Sequence, residues 1–273
     1  MKSDIRVVEA RVSFSDEKAR VPLKFGKVVM EAATYAEVEV TVENQAGNTA
    51  KGHGGIFLSH VWAFPNPAIS PEVKDRAMRE LVRQFAGKLT EVREFLHPVR
   101  LFLTLEEELR CLCRQTTVNY RLPEEFPFLA GLVCASPADA AVHDAFGLVN
   151  DICTYDGYGK EFMPELSTFL GADFPGRYLA DYLRPVYQQQ IPVFHLVGGL
   201  DKLREKEVTP EDPCDGLPVS LEKWIETERL FCLKVKLRGN DLDWDISRTT
   251  EVSRVAHEVY RRLNEKKEIF LSV

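Results

Sequence analysis

Two lysines, Lys234 and Lys236, are the residues of this sequence best placed to do chemistry. They lie two positions apart in an apolar stretch, residues 230–239, whose pattern is typical of a buried β-strand. Side chains alternate along a strand, so both lysines share one face, and the opposite face carries Leu233, Val235 and Leu237. Neighbouring ammonium groups favour loss of a proton from one of them, and burial adds to this effect. The pair could therefore act as a base in proton transfer. The alternative is a solvated lysine face on an edge strand.

The lysine strand must be positioned by its neighbours, and helical patterns flank it at residues 217–228 and 243–263. The order helix, strand, helix is typical of parallel βαβ units, whose strands are covered on at least one face. A short apolar strand precedes these elements at 191–197, and another follows at 268–273. Three strands and two helices do not close a barrel, which suggests a fragment of a longer protein. His195 lies at the end of the first of these strands. A single histidine at such a position is more often structural than catalytic.

Length and composition indicate a two-domain protein with a large core. The chain has 273 residues, of which 45% are hydrophobic and 28% charged. The net charge of −7 is spread along the chain, which argues against nucleic acid as a partner. The sequence contains neither an apolar run long enough to cross a bilayer nor a signal-peptide pattern at its start. The cysteines lack paired metal-site spacing, so we expect reduced thiols in a cytoplasmic protein: Cys111, Cys113, Cys134, Cys153, Cys214 and Cys232.

The first 187 residues are predicted to form a separate α+β domain. Residues 5–14 and the strictly alternating run 35–42 read as strands, and a turn centred on Gly47 leads to a returning strand at 49–54. These segments predict a three-stranded antiparallel meander, with residues 21–26 as a loop. We expect the glycine-rich segment Gly52-His53-Gly54-Gly55 to end the meander in a flexible loop.

Three helices are predicted to follow the meander. Ser70-Pro71 marks the start of the first, and Thr104 with Glu107 forms a capping box for the second. Ser136-Pro137 is predicted to start the third, with Asp139 as a charge in its first turn. Asp139 and His143 are four residues apart, a spacing at which two side chains could share a metal ion. The pattern instead favours His143 as a packed structural residue.

Three of these motifs, in this order, resemble the enolase superfamily and its mandelate racemase/muconate lactonizing enzyme group. The meander with its glycine-rich end resembles the superfamily's N-terminal capping domain, and residues 135–147 resemble the helix that precedes the barrel. The segment Leu233-Lys234-Val235-Lys236-Leu237-Arg238-Gly239 is similar to the KxK motif at the end of the second barrel strand. The resemblance implies a TIM-type (β/α)7β barrel, of which residues 188–273 would supply strands 1 to 3.

The resemblance also implies a reaction and roles for individual residues. Enzymes of this group abstract the proton α to a carboxylate, and Mg²⁺ stabilises the resulting enediolate. By this match Lys236 is the catalytic base, and Lys234 is the catalytic lysine beside it. Lys24, Phe25, His60 and Trp62 fall where two mobile capping loops close over the substrate, so they are candidates for substrate binding. The alternative for these four residues is ordinary loop surface and a buried indole.

The sequence departs from the resembled pattern at its metal site. The three acidic Mg²⁺ ligands stand at the ends of the third, fourth and fifth strands of such barrels, so they are expected beyond residue 273. We therefore expect this chain alone to be inactive. The full-length protein is expected to be an acid-sugar dehydratase (a lyase) or a racemase/epimerase (an isomerase), acting on a small hydroxy acid or acid sugar as a homo-oligomer. The alternative is a non-catalytic relative that uses the capping-like domain for assembly or binding.

Overall fold

The computed structural model describes residues 1–25 and 28–273, and the side chain of Phe25 lies outside this description. The chain divides into two compact units. The first unit contains Met1–Glu17 and Ala33–Tyr187, and the second contains Lys18–Ala32 and Gln188–Val273. Residues 18–32, which sequence analysis assigned to the N-terminal domain, thus group with the second unit.

The chain opens with a three-stranded antiparallel sheet in the order β1-β2-β3. The strands are β1 (Ile5–Phe25), β2 (Val28–Asn44) and β3 (Thr49–Phe57). β2 and β3 pair antiparallel from Tyr35 opposite Phe57 to Glu43 opposite Thr49, as the alternating pattern predicts. The predicted loop at 21–26 is wrong for residues 21–25, which continue β1; Gly26 lies outside the described residues. The inward face of β2 is fully buried at Ala36, Val38, Val40 and Val42.

The predicted flexible loop at Gly52-His53-Gly54-Gly55 is wrong, because all four residues belong to β3. Two of their glycines, Gly52 and Gly54, serve close packing against helix α4 (Phe128–Val149). A Cβ atom on Gly52 would lie 2.2 Å from the carbonyl oxygen of Ala141, and one on Gly54 would lie 2.2 Å from that of Pro137. No side chain fits between the two backbones, so glycine here marks close approach and not flexibility.

The helices of the first unit are α1 (His60–Ala63), α2 (Pro71–Leu89), α3 (Pro98–Asn119), α4 and α5 (Ser167–Leu170). The predicted start of α2 is confirmed, since the Ser70 hydroxyl accepts a hydrogen bond from the backbone N–H of Val73. The predicted start of α3 at Thr104 is wrong. Its N-cap is His97, whose Nδ1 accepts from the N–H of Val99.

Helix α4 does not start at Ser136-Pro137, as predicted, but runs through Pro137 from Phe128. Proline lacks an N–H and so cannot donate to the carbonyl one turn earlier, that of Val133. The hydroxyl of Ser136 donates to this carbonyl oxygen instead, at 3.0 Å. Asp139 is consequently a mid-helix residue and not a charge in the first turn. Within the described residues, no helix combines the length and apolar content needed to cross a bilayer, and all six cysteines are free thiols.

The second unit contains a parallel sheet in the order β4-β5-β6, formed by β4 (Phe194–Val197), β5 (Cys232–Val235) and β6 (Phe270–Ser272). Helices α6 (Leu221–Glu228) and α7 (Leu242–Arg262) connect these strands, which confirms the predicted βαβαβ order. One face of the sheet and the two helices form a core that includes Val197, Leu233, Val235, Ile225, Val255 and Val259. The Ser220 hydroxyl caps α6 and the Asp241 carboxylate caps α7.

We predict that Gly52→Ala destabilises the protein by about 1–3 kcal/mol, because the new methyl group must displace a backbone carbonyl and not a side chain. Urea unfolding followed by circular dichroism measures the change. Gly87→Ala is the matched control, since Gly87 is an exposed residue of α2 with open space around it. That substitution should stabilise by about 0.5–1 kcal/mol. A Gly52→Ala protein as stable as the wild type would contradict the close packing of β3 on α4.

The buried N-cap of α3 predicts a pH dependence of stability. His97 is 1% exposed, and its Nε2 contacts the carbonyl oxygen of Gly157 at 3.1 Å. Burial lowers the pKa of His97 from 6.5 to about 4. His97 therefore binds a proton less readily in the folded state than in the unfolded state, so acid favours unfolding. The contribution of neutral His97 to the free energy of unfolding is complete above pH 6.5 and is lost as the pH falls towards 4. The loss should reach roughly 3 kcal/mol, at about 1.4 kcal/mol per pH unit.

Urea unfolding at pH 7 and pH 4 checks this prediction. His97→Asn is the informative variant, because asparagine also caps helices but does not titrate in this range. This variant should remove most of the roughly 3 kcal/mol by which the free energy of unfolding differs between pH 7 and pH 4. An unchanged difference would show that other groups, such as His143, carry the pH dependence.

Candidate functional site

The two lysines lie at the carboxyl end of β5, as predicted. Lys234 is within the strand and is in register with Leu196 of β4 and Ser272 of β6, so these three side chains share one face of the sheet. Lys236 follows the strand, and its backbone N–H donates to the carbonyl oxygen of Val197 at 2.9 Å. This bond extends the β4–β5 ladder to Lys236. The carboxyl ends of parallel strands are where α/β proteins build their sites.

The lysine face is more open than sequence analysis predicted. Helices α6 and α7 cover the opposite face, where Leu233 is 0% and Val235 is 3% exposed. Lys234 is exposed and Lys236 is half-buried. The expected burial of both ammonium groups is therefore wrong for Lys234. The physical reason is that both helical connections pass over the same face, as right-handed crossovers do.

The turn that follows Lys236 is held by a buried carboxylate from α7. Asp245 is 9% exposed and accepts hydrogen bonds from the backbone N–H groups of Arg238 at 2.8 Å and Gly239 at 3.0 Å. Gly239 has a φ of 74°, a conformation that favours glycine. The chain therefore leaves β5 along a fixed path, which limits the positions that Lys236 can adopt.

The same helix turn holds the segment that follows β4. Arg248 donates from Nη2 to the carbonyl oxygens of Gly198 at 2.6 Å and Asp201 at 2.8 Å. Burial lowers the pKa of this guanidinium, and the nearby Asp201 opposes that shift. The Trp244 ring lies 3.9 Å from the guanidinium of Arg238 and 5.9 Å from that of Arg248. Sequence analysis missed these residues; a signal was the Trp-Asp pair at the start of a helix that follows the lysine strand.

Lys24 and Phe25, predicted to bind substrate, lie at the end of β1 in the part of the chain that belongs to the second unit. Lys24 is half-buried, and the side chain of Phe25 lies outside the described residues. Arg20 anchors this segment. Its guanidinium forms two hydrogen bonds with the Asp215 carboxylate, at 2.7 and 2.8 Å, and donates to the carbonyl oxygens of Leu217 and Pro218, both at 3.0 Å.

The Arg20 anchor also fixes the charge of its partner. The hydrogen bonds from Arg20, followed by the one from the backbone N–H of Leu217, hold the pKa of Asp215 well below its usual range. The carboxylate therefore remains ionised at any pH at which the protein would work. Sequence analysis did not identify this pair, because its members are 195 positions apart.

A cavity of about 390 Å³ lies within the second unit, beside β4. Its walls include Pro22, Leu23 and Met30 from the β1–β2 segment, together with Leu196 and His195. Leu196, which lines the cavity, is in register with Lys234. The rings of His195 and Trp224 are 5.3 Å apart. Burial lowers the pKa of His195, and the charge of Asp201 opposes this shift. A packed, neutral imidazole is consistent with the predicted structural role.

His60 and Trp62 lie in the first unit, and the lysines lie in the second. His60 and Trp62 both belong to the short helix α1. Trp62 is 55% exposed, which also excludes the alternative of a buried indole. His60 is half-buried, and burial followed by the charge of Lys74 lowers its pKa. Their role in substrate binding stays a prediction.

The described residues do not form a magnesium site. Over residues 1–25 and 28–273, no group of three or more His, Cys, Asp or Glu side chains is arranged to hold a metal ion.

An antiparallel sheet with helices, followed by a parallel βαβαβ sheet, defines a capping-type α+β domain and the first strands of a TIM-type barrel. Solved structures that match this fold include two proteins described as enolases. The fold predicted from the motifs is thereby confirmed. No family model and no curated protein matches the sequence.

Three of these solved structures illustrate the likeness. An enolase from Bradyrhizobium, complexed with magnesium and mandelic acid, has a TM-score of 0.53 and 16% identity, over 99% of this chain and 54% of its own. An enolase from alphaproteobacterium BAL199 with bound magnesium has a TM-score of 0.50 and 12% identity, over 92% and 52%. A mandelate racemase/muconate lactonizing enzyme-like protein from Rubrobacter xylanophilus has a TM-score of 0.49 and 15% identity, over 97% and 52%. The chain thus spans about half the length of these proteins.

We predict that Asp245→Asn speeds hydrogen exchange at the amides of Arg238 and Gly239 by about tenfold or more. A hydrogen bond to a charged group contributes about 1.5–3 kcal/mol, and an asparagine NH₂ group would face one of the two donors. Amide exchange measured by NMR or mass spectrometry checks this. Asp243→Asn removes the same helix-terminal charge from an exposed position and should leave these amides unchanged. Equal exchange in both variants would show that Asp245 does not hold the turn.

Proposed function

We propose that this chain is part of an enolase-superfamily enzyme that abstracts the proton α to a carboxylate, as a racemase/epimerase or an acid-sugar dehydratase. One observation carries the proposal: Lys234 and Lys236 lie at the carboxyl end of β5, in a segment whose exit is fixed by Asp245. The fold likeness supports the same choice, because a solved enolase with this fold is complexed with magnesium and mandelic acid, a small 2-hydroxy carboxylate.

The two lysines would have different roles. Lys236 is the proposed base: it is half-buried, and its backbone is bonded to β4. Lys234 lies two residues earlier, roughly 6–7 Å away along the strand. Its ammonium group would attract and orient a substrate carboxylate. The chemistry proposed for this chain is limited to these two tasks, since the described residues offer no fitting site for Mg²⁺.

The cavity beside β4 bears on the choice of substrate. Leu196, Leu23 and Met30 are apolar residues of its lining, which also contains Arg20, His195, Asp201, Lys202 and Asp212. The polar members could satisfy the hydroxyl groups of an acid sugar, and the apolar members suit a carboxylate with an apolar substituent. Dehydration and racemisation or epimerisation therefore both stay in the proposal.

The test uses the full-length protein and a panel of 2-hydroxy and 2-amino carboxylates. NMR monitors the exchange of each compound's α-proton with solvent deuterium. Lys236→Ala should slow exchange by about 10²–10⁴-fold, the usual contribution of a general base. Lys266→Ala removes an exposed lysine remote in sequence from the motif and should have no effect. Exchange retained in Lys236→Ala would exclude Lys236 as the base.

The non-catalytic alternative is favoured by the exposure of Lys234, since an open ammonium group resembles ordinary protein surface. In that case the capping-like domain would serve assembly or binding. The same assay separates the two proposals. A non-catalytic relative should show no exchange with any carboxylate of the panel, with or without added Mg²⁺, even as the full-length protein.

A further inference from the structure

A second cavity, of about 190 Å³, opens on the first unit between α3 and α4. Val99, Phe102 and Leu103 of α3 form its apolar walls, and Asp139 and His143 of α4 contribute the polar side. All of these residues are described, and none takes part in the proposed proton abstraction. The cavity is smaller than the roughly 300–1,000 Å³ typical of drug-sized ligands, so it suits a small molecule.

The carboxylate of Asp139 lies beside the apolar part of the cavity, and no donor of the described residues is within hydrogen-bonding distance of it. Within the described part of the chain, its nearest partner is Nε2 of His143, 3.8 Å away, which is too long for a hydrogen bond. The other ring nitrogen of His143, Nδ1, lies 3.1 Å from the hydroxyl oxygen of Tyr158. That contact orients the imidazole, but it brings no donor to the carboxylate. The Asp139 side chain is 38% exposed, so a ligand in the cavity can reach its oxygens.

Electrostatics favour a cation at this position. Burial lowers the pKa of His143, and the negative charge of Asp139 opposes that shift. Burial likewise raises the pKa of Asp139, opposed by His143. The imidazole is thus held towards its neutral form, and the burial that raises the pKa of Asp139 disfavours a carboxylate without a counter-charge. A cation in the cavity would therefore favour the ionised form of Asp139. A partly buried carboxylate of this kind gains most from charge-assisted hydrogen bonds supplied by a ligand.

We propose that this cavity binds a small organic ammonium ion, with Asp139 as its counter-ion and Val99, Phe102 and Leu103 around its apolar body. A primary ammonium group has three donors and can reach both carboxylate oxygens. This site is independent of the lysine strand and of the proposed proton abstraction.

Benzylammonium chloride is the probe, titrated into the 273-residue chain while the ring signals of His143 are followed by NMR. We expect saturable binding in the millimolar range, about 4 kcal/mol, as befits a ligand of this size. Benzyl alcohol has the same body without the charge and should bind at least about tenfold more weakly. Equal affinity for the two compounds would overturn the proposal, and so would a failure of benzylammonium to saturate.

Asp139→Asn should weaken benzylammonium binding by about tenfold or more, since it removes the counter-charge. Asp151→Asn is the matched control: it removes one charge from an exposed residue of the same unit and should not change the affinity. Asparagine tolerates the φ of 54° at that position. If Asp139→Asn fails to fold, Leu103→Lys places a cation at the exposed mouth of the cavity and should weaken binding to a similar extent. Unchanged affinity in the folded variants would contradict the assignment.

Discussion

The alternation of side chains along β5 is the constraint on which the candidate site depends. Leu233 and Val235 are buried against α6 and α7, which fixes the register of the strand. A shift by one residue would move the lysines into that core and expose the leucine and valine, at about 1.5–3 kcal/mol for each apolar side chain. The burial of two apolar residues therefore determines that Lys234 is presented on the other face.

Register alone does not define where Lys236 lies, because this residue follows the end of β5. Its position depends on the backbone hydrogen bond to Val197 and on the turn held by Asp245. Arg248 fixes the segment after β4 from the same helix. The first turns of α7 thus stabilise both exits from the sheet, and they connect the packing of a helix to the geometry of a site at the carboxyl ends of the strands.

Features with a local cause could be predicted from the sequence, and those with a long-range cause could not. The β2 alternation, the Ser70 cap and the βαβαβ order follow from periodicity and capping within a few residues. The glycines of β3 were misinterpreted because their cause is the α4 backbone, some 85 residues further along the chain, which a sequence pattern does not reveal. Proline is equally ambiguous: Pro137 predicted a helix start, but the hydroxyl of Ser136 satisfies the carbonyl that it leaves unpaired. Lys234 and Lys236 were found because alternation is local, whereas Arg20, Asp245 and Arg248 act through tertiary contacts.

The openness of the lysine face has an energetic consequence for the proposed chemistry. Phe194, Leu196 and Phe270 are 53%, 38% and 47% exposed, and register places them on the same face as Lys234. Covering such a face removes apolar area from water, at about 25 cal/mol per Å². The same event removes water from around Lys234, which lies on that face. One covering surface would therefore bury the apolar side chains and desolvate the lysine together, so the two effects are coupled.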